Sequence, residues 1–140
     1  MTERTLALVK PDGVKRQLAG EVLKRIETKG YKIVAVELKT ANKELLDQHY
    51  AEHVGKSFYD NLVEYMTSGP VLAIIAEGEN VIAGWRTLMG NTKPTEAAPG
   101  TVRGDLARDW PGEAVQNIVH GSDSVEAAEK EIGLWFPNLK

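Results

Sequence analysis

Apolar residues fall into short continuous blocks and spaced stripes, and the two kinds of run alternate along the chain. Residues 5–9 (TLALV) form a block stopped by Lys10-Pro11-Asp12-Gly13, which predicts a buried strand and a turn. The stripe Val22, Leu23 and Ile26, ended by Gly30, predicts an amphipathic helix over 20–29. Residues 31–40 (YKIVAVELKT) alternate as a strand does, with Ile33, Ala35 and Glu37 on one face and Val34, Val36 and Leu38 on the other. Asn42 is placed to cap a helix carrying Leu45, Leu46, His49, Tyr50 and His53. A helix over 58–67 turns Leu62, Val63 and Met66 inward and stops at Ser68-Gly69-Pro70. Residues 71–76 (VLAIIA) are the most apolar run and predict a central strand. Glu79 or Asn80 then opens a helix bearing Val81, Ile82, Trp85 and Leu88. Residues 90–104 show no periodicity, and a loop this long in a small domain is usually functional. A short strand over 115–119 runs into His120-Gly121-Ser122-Asp123, and the last helix spaces Val125, Ala128, Ile132, Trp135 and Phe136 along one face. This order predicts an α+β or α/β arrangement with helices stacked on a small sheet, without fixing the strand order. No repeat or Gly/Ser linker interrupts it, so residues 1–140 are read as one domain.

Composition narrows the function classes. A chain of 140 residues buries about two thirds of its unfolded surface, enough for its own core. Hydrophobic residues at 42% are too many for a disordered chain. A formal net charge of −3 argues against nucleic acid as main partner. The absence of cysteine excludes disulfides, thiolate nucleophiles and zinc–sulfur sites. No apolar run approaches the roughly 18 residues of a bilayer span, and Met1-Thr2-Glu3-Arg4 lacks the build of a secretory signal. A cytoplasmic protein without a membrane partner is expected.

Several motifs invite chemistry and fail. Gly55-Lys56-Ser57 resembles the end of a phosphate-binding P-loop, but Tyr50 stands where the loop's first glycine belongs. His49-Tyr50-Ala51-Glu52-His53 matches H-x-x-E-H, a zinc-protease pattern that also needs a third ligand and a substrate cleft. Neither G-x-G-x-x-G nor G-x-S-x-G occurs. His120 stands apart, at a strand end followed by glycine and a new helix, where folds display reactive side chains. On local evidence alone a capping or core histidine is the default reading. Lys10 ends the first strand, Arg86 lies on the helix before the unpatterned segment and Arg103 at its far side, with Thr92 and Asn117 as uncharged donors. Each alone is an ordinary surface residue; with a histidine they could bind a polyphosphate. Tyr50 and Phe58 are core aromatics or a stacking surface for a base.

The ordered set carries a family resemblance. Residues 117–123 (NIVHGSD) resemble the N-x-x-H-G-S-D signature of nucleoside diphosphate kinases. The stretches 5–13 (TLALVKPDG), 68–71 (SGPV), 99–105 (PGTVRGD), 129–132 (EKEI) and Trp135-Phe136 follow in that family's order. The resemblance implies a ferredoxin-like βαββαβ sandwich, with helices packed on an antiparallel four-stranded sheet. It implies transfer of the γ-phosphate of a nucleoside triphosphate, mainly ATP, to a nucleoside diphosphate. The route is a ping-pong through a phosphohistidine on His120, which maintains NTP and dNTP pools. By motif position Lys10, Tyr50, Arg86, Thr92, Arg103 and Asn117 are the phosphate and sugar ligands, and Phe58 the ring that stacks on the base. Ser122 and Glu131 support His120, Asp123 contributes indirectly, and Pro94 matches the proline of a protruding loop. One Mg²⁺ carried mainly by the nucleotide phosphates, with no direct protein ligand, is implied, as is a homohexamer or a tetramer. Two departures bear on this. The segment 107–115 is longer than the family's pattern, which affects a loop or a subunit contact, and Ser57 stands where the family often has proline. A non-catalytic nucleotide-binding module is the competing reading, and a zinc hydrolase a distant third.

Overall fold

The continuous apolar blocks become the two inner strands of one sheet, and they are continuous because both faces of these strands are covered. Leu6 and Leu8 enter one core, Ala7 and Val9 the opposite one, and all four are fully buried. The structure, a computed structural model, describes residues 2–111 and 116–139. Its elements are β1 (Thr2–Val9), α1 (Pro11–Lys15), α2 (Ala19–Thr28), β2 (Lys32–Lys39), α3 (Lys43–His49), α4 (Tyr59–Met66), β3 (Val71–Glu79), α5 (Val81–Met89), α6 (Val102–Leu106), β4 (Val119–Gly121) and α7 (Val125–Trp135).

The sheet order is β2-β3-β1-β4 and every pairing is antiparallel. β1 and β2 therefore run parallel on either side of β3, joined across one face by α2. β3 and β4 flank β1 in the same way, joined by α5. This is the ferredoxin-like α+β fold. Val22 and Ile26 of α2 and Val81, Ile82, Trp85 and Met89 of α5 fill one core. Leu46 of α3, Tyr65 and Met66 of α4 and Trp135 of α7 fill the other.

The local differences from expectation have physical causes. Lys10-Pro11-Asp12-Gly13 is not a turn but the entry to α1, with Pro11 at its first position, where a preset φ helps and the missing N–H goes unused. Asn42 caps α3 by accepting the Leu45 N–H, but the helix stops at His49, and Tyr50 and His53 lie in turns beyond it. In β2 the register shifts between Ile33 and Ala35. That bulge moves Ile33 and Ala35, expected on one face, to opposite cores. The unpatterned segment contains α6, started by Thr101, whose hydroxyl accepts the Gly104 N–H. Gly104 fits because a Cβ there would lie 1.9 Å from the Ala98 carbonyl oxygen. The last strand starts at Val119, leaving out residues 116–118 that were expected in it, because Ile118 takes φ 71° and cannot continue a ladder. Val115 and part of the long 107–115 segment lie outside the described residues. No helix among the described residues is long and apolar enough to cross a membrane.

Candidate active site

β4 pairs with the end of β1, setting Leu8 opposite His120 and bringing the residues after β1 against the turn before β4. The Lys10 N–H donates to the Ile118 carbonyl at 2.6 Å, and Lys10 Nζ donates to Asn117 Oδ1 at 2.9 Å. Asn117 Nδ2 donates to the Thr92 carbonyl, tying the turn to the loop after α5. Arg103, on α6 and nearly buried, donates from Nε to the Asn117 carbonyl, from Nη1 to Gly90 and from Nη2 to Val119. A guanidinium has five N–H donors, so two remain for a ligand. Arg86 of α5 faces the same space and pairs with Asp123 at 2.7 Å. Together these residues wall a cleft of about 310 Å³.

His120 is held from behind. Its Nε2 lies 2.8 Å from Glu131 Oε1 on α7, and the Ser122 hydroxyl donates to the same oxygen at 2.8 Å. Burial alone would raise the Glu131 carboxyl, but the hydrogen bond and charge of His120, with His49 and Ser122, outweigh it and hold it below the ordinary range. The group is thus a carboxylate and can only accept. This assigns the proton of the neutral His120 ring to Nε2 and leaves Nδ1 unprotonated. Among the described residues Nδ1 has no hydrogen-bond partner. Trp85 Nε1 donates to the His120 carbonyl at 3.1 Å, which fixes the backbone beneath the ring.

Burial, then Arg103, lowers the Lys10 ammonium to about 8 against the opposing pull of Asp12. Burial and Arg86 lower Arg103 to about 10, still charged at neutral pH. His49 is buried, 4.7 Å ring to ring from His120, and desolvation holds it neutral down to about 3. Its Nδ1 accepts the Trp135 indole N–H at 3.0 Å, so its own proton sits on Nε2.

Of the residues singled out from the sequence, Lys10, Tyr50, Arg86, Thr92, Arg103, Asn117, His120 and Glu131 all line this cleft. Ser122 lies fully buried behind Glu131. Phe58 is not in the wall. It stands further out, 46% exposed, with its ring edge-on to His53, which in turn stacks on Tyr50. The H-x-x-E-H reading does not survive. α3 ends at His49, so His49 and His53 share no helix face, and His49 Nδ1 is engaged by Trp135. Gly55-Lys56-Ser57 lies in a turn between α3 and α4 with no strand leading into it. Sequence reasoning missed His49 as part of the cleft, although it precedes Tyr50 directly. It also gave Asp12 and Tyr65 no place in the architecture behind the cleft.

Comparison with known proteins agrees with this geometry. A family model described as "Nucleoside diphosphate kinase" matches residues 3–140. The chain is 56% identical over 140 residues to the nucleoside diphosphate kinase of Corynebacterium jeikeium, covering 99% of this chain and 100% of that one. It is 58% identical over 139 residues to that of Mycolicibacterium paratuberculosis, covering 99% of each. Among solved structures, the nucleoside diphosphate kinase of Halobacterium salinarum in complex with CDP superposes with a TM-score of 0.91 at 46% identity, over 99% of this chain and 90% of that one. The apo enzyme of Encephalitozoon cuniculi gives 0.89 at 40% identity, over 96% and 88%. A full-length match at this identity leaves one assignment: the chain belongs to the nucleoside diphosphate kinase family and is an enzyme of that class.

Proposed function

We propose that the cleft binds nucleoside tri- and diphosphates, ATP foremost as donor, and that His120 Nδ1 carries the phosphoryl group between them. The observation that carries this reading is the ring nitrogen that Glu131 leaves free, in a cleft walled by Lys10, Arg86 and Arg103. In the first half-reaction Nδ1 attacks the γ-phosphorus, the Nδ1–P bond forms, and the bond to the β-bridging oxygen breaks to release the diphosphate. The positive charge that develops on the ring is met by Glu131 through Nε2–H. The second half-reaction reverses these steps toward a different nucleoside diphosphate, which is a ping-pong cycle that keeps NTP and dNTP pools filled.

Phosphoryl transfer asks the protein mainly for alignment and charge neutralisation. Lys10 supplies a point charge, while Arg86 and the two unused donors of Arg103 supply directional ones. Asn117, Thr92 and Tyr50 are placed to contact phosphates or sugar. Phe58, on the outer rim, is the ring offered to the base, a sequence-tolerant contact. The donor set fits a divalent ion carried by the nucleotide. Among the described residues the one group of three able to hold a metal is His49, His120 and Glu131, and its His49 Nδ1, His120 Nε2 and Glu131 Oε1 are engaged in internal hydrogen bonds. Mg²⁺, when bound, would neutralise charge on the phosphates and would be held mainly by the nucleotide. By the same family reading we infer a cytoplasmic enzyme, one domain over 1–140, assembled as a homohexamer before a tetramer.

Incubation with γ-labelled ATP should give an acid-labile, base-stable phosphoprotein. His120→Ala should lose both the label and turnover. Retained transfer by that variant would refute the assignment.

A further inference from the structure

Asp12 is buried, lies outside the cleft wall, and has both carboxylate oxygens engaged. Oδ1 accepts the Tyr65 hydroxyl, and Oδ2 accepts the Ile118 N–H at 3.1 Å. Ile118 is the strained residue of the site: at φ 71° a β-branched side chain occupies the left-handed region. The Val119 N–H donates to the Asn117 carbonyl at 2.7 Å, closing a three-residue turn around Ile118, the rare and strained form of γ-turn. Such a conformation persists only where its surroundings over-determine it. Here the surroundings are Asp12 on the Ile118 N–H, Lys10 on its carbonyl, and Arg103 bridging the carbonyls on either side. Gly13 completes the seat, because a Cβ there would fall 2.9 Å from Ile118 Cγ2. The residue before the turned one is Asn117, and two positions after it comes His120.

We propose that Asp12, itself held by Tyr65, is a positioning residue: it pins the Ile118 turn and so sets the spacing between Asn117 and His120. The proposal rests on the reading of His120 as the phosphoryl acceptor. A carboxylate suits the task, since its two oxygens accept one hydrogen bond each, from Tyr65 and from the Ile118 N–H. Tyr65 adds a second anchor from the opposite core, on α4, so the turn is braced against an element that does not touch the nucleotide cleft. Misplacement of a reacting group by about 1 Å costs on the order of a hundredfold in rate, which is the scale such a brace would protect.

The test is rapid-quench measurement of His120 phosphorylation by γ-labelled ATP, with its dependence on ATP concentration. Tyr65→Phe should slow phosphorylation about tenfold, and Asp12→Ala about a hundredfold, with the half-saturating ATP concentration changed less than about threefold. Ile118→Gly, placed in the Asp12→Ala background, removes the left-handed penalty and should restore the rate by about tenfold. A merely structural Asp12 predicts the opposite, because emptying a fully buried side chain would only loosen the fold further. Should Asp12→Ala not fold, Tyr65→Phe with and without Ile118→Gly carries the same comparison. Wild-type rates in the single variants, or no recovery in the double variant, overturn the proposal while leaving His120 phosphorylation intact. A wild-type protein that takes no label on His120 overturns both.

Discussion

On the proposed reading Lys10 acts as a cation at a place that disfavours one. Burial and the Arg103 charge hold its ammonium at about 8, with Asp12 resisting. Activity should therefore fall as pH rises through about 8, where Lys10 loses its charge while Arg103, held at about 10, keeps its own. Lys10→Met retains the side chain's shape and removes the charge. We expect kcat/KM to drop about 10²–10³-fold, the scale of losing one positioned electrostatic donor. The alkaline decline near pH 8 should vanish from the residual activity. An unaltered pH profile in the variant would assign that decline to some other group. Lys10 was legible in the sequence because it ends an apolar block and precedes a recognisable motif. His49 was not legible, because its burial and its tautomer come from Trp135, 86 residues away. Asp12 has the same history: its partners Tyr65 and Ile118 lie 53 and 106 positions along the chain.

Elements repeat this contrast between local and distant causes. β1, β3, α2 and α5 were readable because continuous blocks and 3.6-residue stripes report burial directly. The β2 bulge was not, since alternation on paper does not reveal which residue the ladder skips. α6 was hidden because five residues are too few to show a period, and its start depends on Thr101 and on Gly104 passing close to Ala98. α1 is as short, and what places it is a glycine. A Cβ on Gly13 would meet Val9 Cγ1 at 2.7 Å and Ile118 Cγ2 at 2.9 Å, both on fully buried, β-branched side chains. Helix propensity favours Gly13→Ala by up to about 1 kcal/mol, but overpacking a filled core costs about 1–3 kcal/mol. Overpacking wins, so urea denaturation should show a net loss of about 1–2 kcal/mol. Gly20→Ala in α2 is the control, since a Cβ there meets nothing within 4 Å. It should gain about 0.4–1 kcal/mol. Equal effects from both substitutions would mean that propensity, and not the seat under Ile118, governs Gly13.

Across the whole molecule, stability and activity should part company on the alkaline side. Stability rises with pH wherever the unfolded chain binds more protons than the folded one. Between about 8 and 10.5 the unfolded chain keeps a proton on Lys10 that the folded protein has released, so stability climbs there while transfer declines. At higher pH the sign reverses. Burial raises Tyr50, Tyr59 and Tyr65, so the folded protein holds phenolic protons that the unfolded chain loses from about pH 10. On the acid side His49 is the main lever. Its folded value of about 3 lies below the ordinary 6.5, so an unfolded chain gains a proton through that window and the fold weakens as pH falls. Glu131, lowered in the fold, acts in the same direction below 4.5. Thermal denaturation across pH should therefore show Tm climbing from pH 4 to 7 and again from 8 to about 10, then falling. His49→Asn keeps an acceptor for the Trp135 indole and removes the titrating ring. It should flatten the acid slope between 3 and 6.5 and leave the alkaline rise in place. A variant with an acid limb as steep as the wild type's would move that sensitivity to the carboxylates. A wild-type Tm that falls between pH 8 and 10 would mean that Lys10 stays protonated in the folded cleft, and the alkaline loss of activity would then need another source.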